Sequence, residues 1–136
     1  MKQILIGKDK YVIDWVASQL QEPVNGGIGV GVVENNLLVG GMVFHDYNGS
    51  NIEMTCFGPG CLNRRILSWL FNYVFMELGC NRLSVKTKRS NKRVLKLANR
   101  LGFTYEATLK QFFGPDKNDD AILFKMDLIS ASRWMR

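Results

Sequence analysis

The chain has 136 residues, 46% of them hydrophobic and 22% charged, which suits one globular domain spanning residues 1–136. Its opening MKQILIGKDK holds only a three-residue apolar run, and no later stretch approaches the ~20 apolar residues that span a bilayer, so neither secretion nor a membrane span is expected. Three cysteines without a CxxC spacing exclude a disulfide framework or zinc knuckle and fit a reducing cytoplasm, while the single histidine, His45, leaves no metal-ligand set and little room for a Ser-His-Asp arrangement.

Residues 2–6 (KQILI) predict a first strand, and Asp9 is placed to cap a helix over 10–21 that ends at Pro23 and the Asn25-Gly26-Gly27 run. Valine-rich and glycine-rich segments at 28–34 and 37–46 form a hairpin about Glu34-Asn35-Asn36. Asn48-Gly49 turns the chain into a third strand at 51–57, and after Gly58-Pro59-Gly60 a helix is predicted over 62–78, apolar around most of its circumference and stopped by Gly79. A strand at 82–88 and a helix at 91–101 follow, the helix apolar along Val94, Leu97, Ala98 and Leu101. Residues 103–112 read as a strand, 114–118 as a turn, and 121–128 as a final strand. The sum is an α/β domain with a mixed sheet of six to seven strands and helices on both faces.

Net charge is +6, and the excess is local: Lys86, Lys88, Arg89, Lys92, Arg93, Lys96 and Arg100 lie within fifteen residues that hold no acidic side chain. Such a cluster suits phosphates, whether of a nucleotide cofactor or of nucleic acid. The aromatics concentrate elsewhere, at Trp69, Phe71, Tyr73 and Phe75, so stacking platforms for nucleic-acid bases are not evident beside it.

The run from Gly79-Cys80 through the strand 82–85, then Asn91, then Leu101-Gly102-Phe103 and Glu106, with Phe103 twelve residues after Asn91, resembles the second half of the GNAT N-acetyltransferase motif. Thr108-Leu109-Lys110, Asp119-Asp120 and Ala121-Ile122-Leu123-Phe124 are similar to that family's ending, and Ser132-Arg133-Trp134 to a tail of its small bacterial and phage-borne members. The resemblance covers roughly 52–134 and implies an acetyl-CoA-dependent transfer of an acetyl group to a primary amine by direct attack in a ternary complex. The branch of ribosomal-protein alanine acetyltransferases is similar enough to favour a protein or peptide acceptor over a small amine.

The resemblance also implies site residues. Met54, Thr55 and Cys56 would pair with pantetheine through backbone groups, the Cys56 amide polarising the thioester carbonyl. Cys61, Leu62, Asn63, Arg64 and Arg65 stand where the family places its pyrophosphate loop, without its usual arginine and glycines, so Arg64 and Arg65 are candidates for direct phosphate contact. Asn91, Arg93 and Val94, at the start of the next helix, complete the cofactor set. The family's two usual proton-donor positions hold Ala98 and Val94, neither able to donate, so the thiolate is protonated by solvent, by a tyrosine elsewhere such as Tyr105, or not at all. Glu53 is the candidate base, with His45 and Asp46 behind it, and Glu106 is a candidate for orienting substrate. Two further readings are a GNAT fold retained for binding without catalysis and a nucleic-acid binder using residues 86–100. Trp134 either packs back onto the domain or meets a second subunit, as in a dimer.

Overall fold

Turn chemistry arranges the first half of the sheet. In the computed structural model, which describes residues 1–136, β1 (Gln3–Leu5), α1 (Asp9–Leu20), β2 (Ile28–Glu34), β3 (Leu37–His45) and β4 (Asn51–Phe57) follow in order. Asn35 and Asn36 link β2 to β3 with φ of 54° and 63°, the doubly left-handed turn whose twist matches that of a hairpin. Asn48 closes the next hairpin, its side-chain oxygen accepting from the amides of Ser50 at 3.0 Å and Asn51 at 2.7 Å.

Asp9 does not cap α1 as the sequence suggests. Lys8 holds the cap position without a side-chain bond, and the Asp9 carboxylate instead accepts from the Gly29 amide at 3.2 Å, tying the helix to β2. The expected helix over 62–78 divides into a 3₁₀ turn at Pro59–Leu62, α2 (Arg64–Asn72) and a π-helical turn at Tyr73–Glu77 in which Leu78 N bonds Tyr73 O at 2.9 Å. Phe71, Val74 and Phe75, one face at i, i+3 and i+4, are all buried across the junction.

β5 (Arg82–Lys88), α3 (Lys92–Leu101), β6 (Thr104–Leu109) and β7 (Ala121–Asp127) complete a seven-stranded sheet in the order β1-β2-β3-β4-β5-β7-β6. The last strand ends one residue before the sequence reading because Asp127 accepts from Ser130 N at 2.9 Å and so caps a short α4 (Leu128–Ala131), which periodicity did not reveal. The tail then folds back. Trp134 Nε1 donates to Leu101 O at 2.7 Å and Arg133 donates to Arg100 O at 2.6 Å, fastening it to the end of α3.

Pleat alternation divides the core into two layers. Ile52 and Met54 of β4 and Leu83 of β5 join the large cluster with Ile66, Leu67, Leu70 and Phe71 of α2 and Ala98 of α3. Val43 of β3 packs on the opposite face with Val12 and Val16 of α1, and Phe57 of β4 abuts them. Both crossover helices lie on one face, as right-handed connections between strands running the same way require.

Candidate active site

One break in the sheet defines the site. The parallel pairing of β4 with β5 runs from Asn51↔Arg82 to Met54↔Val85 and stops there. β4 stays with β3 as far as Phe57↔Gly41, and β5 stays with β7 as far as Lys88↔Ala121. From Thr55 onward the two central strands part, leaving the main chain of Thr55, Cys56 and Phe57 with a strand partner on one side only. Polar backbone without a strand partner seeks another, so this edge suits an extended ligand that adds to it. Of the three expected pantetheine-binding residues, Thr55 and Cys56 lie on the parted edge and Met54 is the last paired residue.

The turn after β4 explains the irregular motif. A Cβ on Gly58 would lie 2.5 Å from Val39 O and one on Gly60 2.8 Å from the same atom, so these glycines serve close packing of the turn on β3. Cys61 is buried in that turn beside the exposed Cys56. The Cys61 thiol faces Phe57 O at 3.7 Å and Gly41 O at 3.9 Å, and the neighbouring Cys56 together with burial pushes it upward, so Cys61 stays protonated.

Asn63 begins α2 as its N-cap, accepting from Arg65 N at 2.7 Å and Ile66 N at 3.3 Å, while Leu62 is exposed. Arg64 donates to Arg133 O at 2.8 Å and Arg65 to Lys2 O at 2.5 Å, so both guanidinium groups brace the chain ends. At the next helix Asn91 is again the N-cap, accepting from Val94 N at 3.3 Å, with Arg93 exposed in the first turn. The basic cluster is partly neutralised: Lys86 pairs with Glu53, Lys88 with Glu22 and Arg89 with Asp120, whereas Lys92, Arg93, Lys96 and Arg100 of α3 have no ion-pair partner.

The face turned away from α2 carries the polar chemistry. Glu53 and Thr55 alternate with the buried Ile52 and Met54, and register sets His45 opposite Glu53. Thr55 Oγ1 lies 3.0 Å from His45 Nε2, and His45 Nδ1 lies 2.8 Å from Asp46 Oδ2, so a hydroxyl, an imidazole and a carboxylate stand in one line despite the little room a lone histidine seemed to leave. The bond to His45, and the charges of His45 and Lys86, hold Asp46 below the usual carboxylate range. Lys86 Nζ contacts both Glu53 oxygens, at 2.9 and 3.2 Å. His45, Asp46 and Glu53 offer donor atoms within 4.8 Å of one another, and the Lys86 ammonium already serves as the cation on Glu53.

Beside this group, Asn51 Oδ1 accepts from Arg82 Nε at 2.8 Å and Ser84 Oγ at 2.6 Å, and Arg82 grips the Glu106 carboxylate through both of its oxygens. Glu106 thus sits on the polar face, where the sequence expected a substrate-orienting residue. Tyr105 does not reach the site. It pairs with Phe124, whose ring belongs to the α2 and α3 layer, on the edge strand β6, and its hydroxyl bonds Thr108 at 2.8 Å. Pleat alternation sends the neighbouring side chains of Tyr105 and Glu106 to opposite faces, and the register shifts by one residue between Tyr105 and Ala107. Sequence reasoning missed Thr55 and Lys86 as polar members of the site. Counting outward from a two-residue Asn48-Gly49 turn sets 45 opposite 52, one residue off the observed pairing of His45 with Glu53, whereas alternation from Arg82 through Ser84 would have put Lys86 on their face.

No protein-family model matches the sequence, and no curated protein matches it. Solved structures do. Mutant forms of the spermidine/spermine N-acetyltransferase SpeG from Vibrio cholerae superpose with TM-score 0.77 over 100% of both chains at 12% identity. The putative acetyltransferase yncA from Salmonella typhimurium, solved with its cofactor acetyl-CoA, matches over 94% of both chains with TM-score 0.69 and 17% identity. A GNAT-family acetyltransferase from Bacillus anthracis gives TM-score 0.58 over 73% of this chain and 65% of its own at 20% identity. The chain has the GNAT acetyltransferase fold.

Proposed function

We propose that this GNAT-fold chain is an acetyl-CoA-dependent N-acetyltransferase that acts on a primary amine of a protein, peptide or small molecule. The single observation that carries the reading is the loss of β4–β5 pairing after Met54 while both strands keep their outer partners. The residues present fit the coenzyme. Backbone groups of Met54, Thr55 and Cys56 would bond the pantetheine arm, with the Cys56 amide aimed at the thioester oxygen. The segment Cys61, Leu62, Asn63, Arg64 and Arg65 would meet the pyrophosphate at the positive end of α2, and Asn91, Arg93 and Val94 would contact it from α3. The unpaired cations of α3 would neutralise its remaining charge.

On the opposite face the amine would reach the carbonyl among Glu53, Thr55 and His45, the groups able to manage its proton, with Glu106 held by Arg82 at the margin. The free cysteines suit a cytoplasmic enzyme, and no helix is long and apolar enough to cross a membrane. Neighbours of the same fold are named for spermidine and spermine; here the acceptor is left at the level of a primary amine.

One observation favours a second reading, binding without catalysis: the Asn63 side chain already occupies two amides that a pyrophosphate would use. Calorimetric titration with acetyl-CoA, followed by thiol release with a panel of primary amines, separates the two. The enzyme reading expects saturable binding and acceptor-dependent release of coenzyme A. No binding at millimolar acetyl-CoA would overturn it, and binding without release to any amine would favour the second reading.

A further inference from the structure

The line of Thr55, His45 and Asp46 has a fixed direction. An ionised carboxylate only accepts hydrogen bonds, so the ring nitrogen facing Asp46 Oδ2 at 2.8 Å, Nδ1, must carry the proton. In the neutral ring Nε2 then holds a lone pair, and the Thr55 hydroxyl at 3.0 Å must donate to it. That leaves the lone pairs of Thr55 Oγ1 free to accept, on the first residue of β4 that β5 has released.

We propose that Thr55, His45 and Asp46 form a proton relay for the transfer, in which Thr55 takes the proton of the attacking amine while passing its own to His45 Nε2. This rests on the acyl-transfer reading given above. Attack forms the C–N bond, and the electron pair of the C–S bond leaves with the coenzyme sulphur. The imidazolium returns its proton through Thr55 to that thiolate, so the relay ends as it began. One histidine serves as base and then as acid, which supplies the acid that Ala98, Val94 and the remote Tyr105 do not.

The groups around the ring suit this cycle. Glu53 has both oxygens engaged by Lys86, which makes it a poor acceptor for the amine, yet its Oε2 lies 3.9 Å from His45 Nε2, where it steadies the imidazolium. The charged groups facing His45 are Asp46 from its own turn, Glu53 from β4 and, behind Glu53, Lys86 from β5. On its other side β2 pairs Ile28 with Phe44 and leads back to Gly27, without charge. The His45 side chain is 16% exposed and that of Asp46 77%, so the relay is sheltered at the ring and open to water at its carboxylate end.

Two measurements test the relay. Long-range ¹H–¹⁵N correlation on the wild-type protein reads the ring directly: the neutral imidazole is expected as the Nδ1–H tautomer, and an Nε2–H tautomer overturns the proposal whether or not any acyl group is transferred. Thiol release from acetyl-CoA, with ethylamine and with water alone as acceptor, is then followed from about pH 6 to about pH 9 for wild type, Thr55→Val, Thr55→Ser, His45→Gln, Asp46→Asn and Glu53→Gln, with acetyl-CoA binding measured for each. The wild-type rate should rise along the ionisation that the spectra assign to His45. His45→Gln and Thr55→Val should each lose roughly 10²-fold in kcat, together with that ionisation, at unchanged acetyl-CoA affinity. Thr55→Ser should restore both, and Asp46→Asn should disturb the profile. A His45→Gln protein with wild-type rate and profile overturns the relay, as does a loss confined to Glu53→Gln or no release above background from a wild type that binds acetyl-CoA. Failure of the wild type to bind acetyl-CoA defeats the acyl-transfer reading instead, and the tautomer then remains the relay's own test.

Discussion

Asn63 sets stability against cofactor binding, and two substitutions should move them in opposite directions. Its side-chain oxygen accepts from Arg65 N at 2.7 Å and Ile66 N at 3.3 Å, one well-formed bond and one marginal. An N-cap of this kind contributes about 1 kcal/mol, so Asn63→Ala should lower the midpoint of thermal unfolding by about 3–5 °C in a domain of this size. The same change frees two amides at the positive end of α2. If the pyrophosphate has to displace the cap to reach them, removing the cap tightens acetyl-CoA by up to about fivefold, the equivalent of that 1 kcal/mol. Asn63→Asp keeps an equally good cap and adds a charge that the helix end favours, so its unfolding midpoint should equal or exceed that of the wild type. It also puts a carboxylate against the phosphates, and acetyl-CoA should bind more weakly. Differential scanning calorimetry and isothermal titration on the three proteins give both quantities. Loss of acetyl-CoA affinity in Asn63→Ala would refute the reasoning, because it would make the side chain a ligand rather than a competitor.

The remaining predictions concern the frame around the site. Phe71 is fully buried against Phe75 and Phe103, so Phe71→Ala should cost about 3–5 kcal/mol in urea unfolding; a loss below about 1 kcal/mol would contradict the packing described. Asp120, buried and ion-paired to Arg89, accepts from Gln111 N at 2.9 Å. Asp120→Ala should destabilise by about 1–3 kcal/mol and speed hydrogen exchange at the Gln111 amide, and unchanged exchange would deny the bond. The hydrogen bonds from Arg82 hold Glu106 below its ordinary carboxylate range. A depressed folded pKa gives stability that is present above the unfolded value of about 4.3 and lost as pH falls through the folded one. The thermal midpoint of the wild type should therefore exceed that of Glu106→Gln near pH 6, and the gap should narrow as the pH falls below about 4.3; a gap that does not narrow in acid would show that the ion pair is not its source.

Much of the frame was legible because it depends on local chemistry. Asn35-Asn36 and Asn48-Gly49 announce their hairpins, Gly102 at φ 109° stops α3, and Asn91 caps it where the motif required an asparagine. The errors arose where a residue had two possible partners. Asp9 has the chemistry of a cap, yet its carboxylate reaches the Gly29 amide of a strand folded later in the chain. Arg64 and Arg65 likewise have two kinds of partner: a linear reading offers them phosphates, and the fold adds the carbonyls of Arg133 and Lys2, distant in sequence. The π-helical turn at Tyr73–Glu77 leaves no mark in periodicity because Tyr73, Val74, Phe75 and Met76 form an unbroken apolar run in which buried and exposed positions look alike. Tyr105 offers a hydroxyl, and the face it takes is set by its pairing with Phe124 of β7. The relay escaped notice for the opposite reason: its members are close only once β3 and β4 pair, and a single histidine is an unremarkable residue until its neighbours are known.

The central claim, that acetyl-CoA binds along the edge that β4 exposes where β5 departs, is tested most directly by following backbone amide shifts during titration with acetyl-CoA. Saturable shifts are expected to be largest at Thr55, Cys56 and Phe57, with further changes at 61–66 and 91–94 and little at Glu53, which remains paired on both sides. Shifts absent from 55–57, or centred away from the parted strands, would contradict the account.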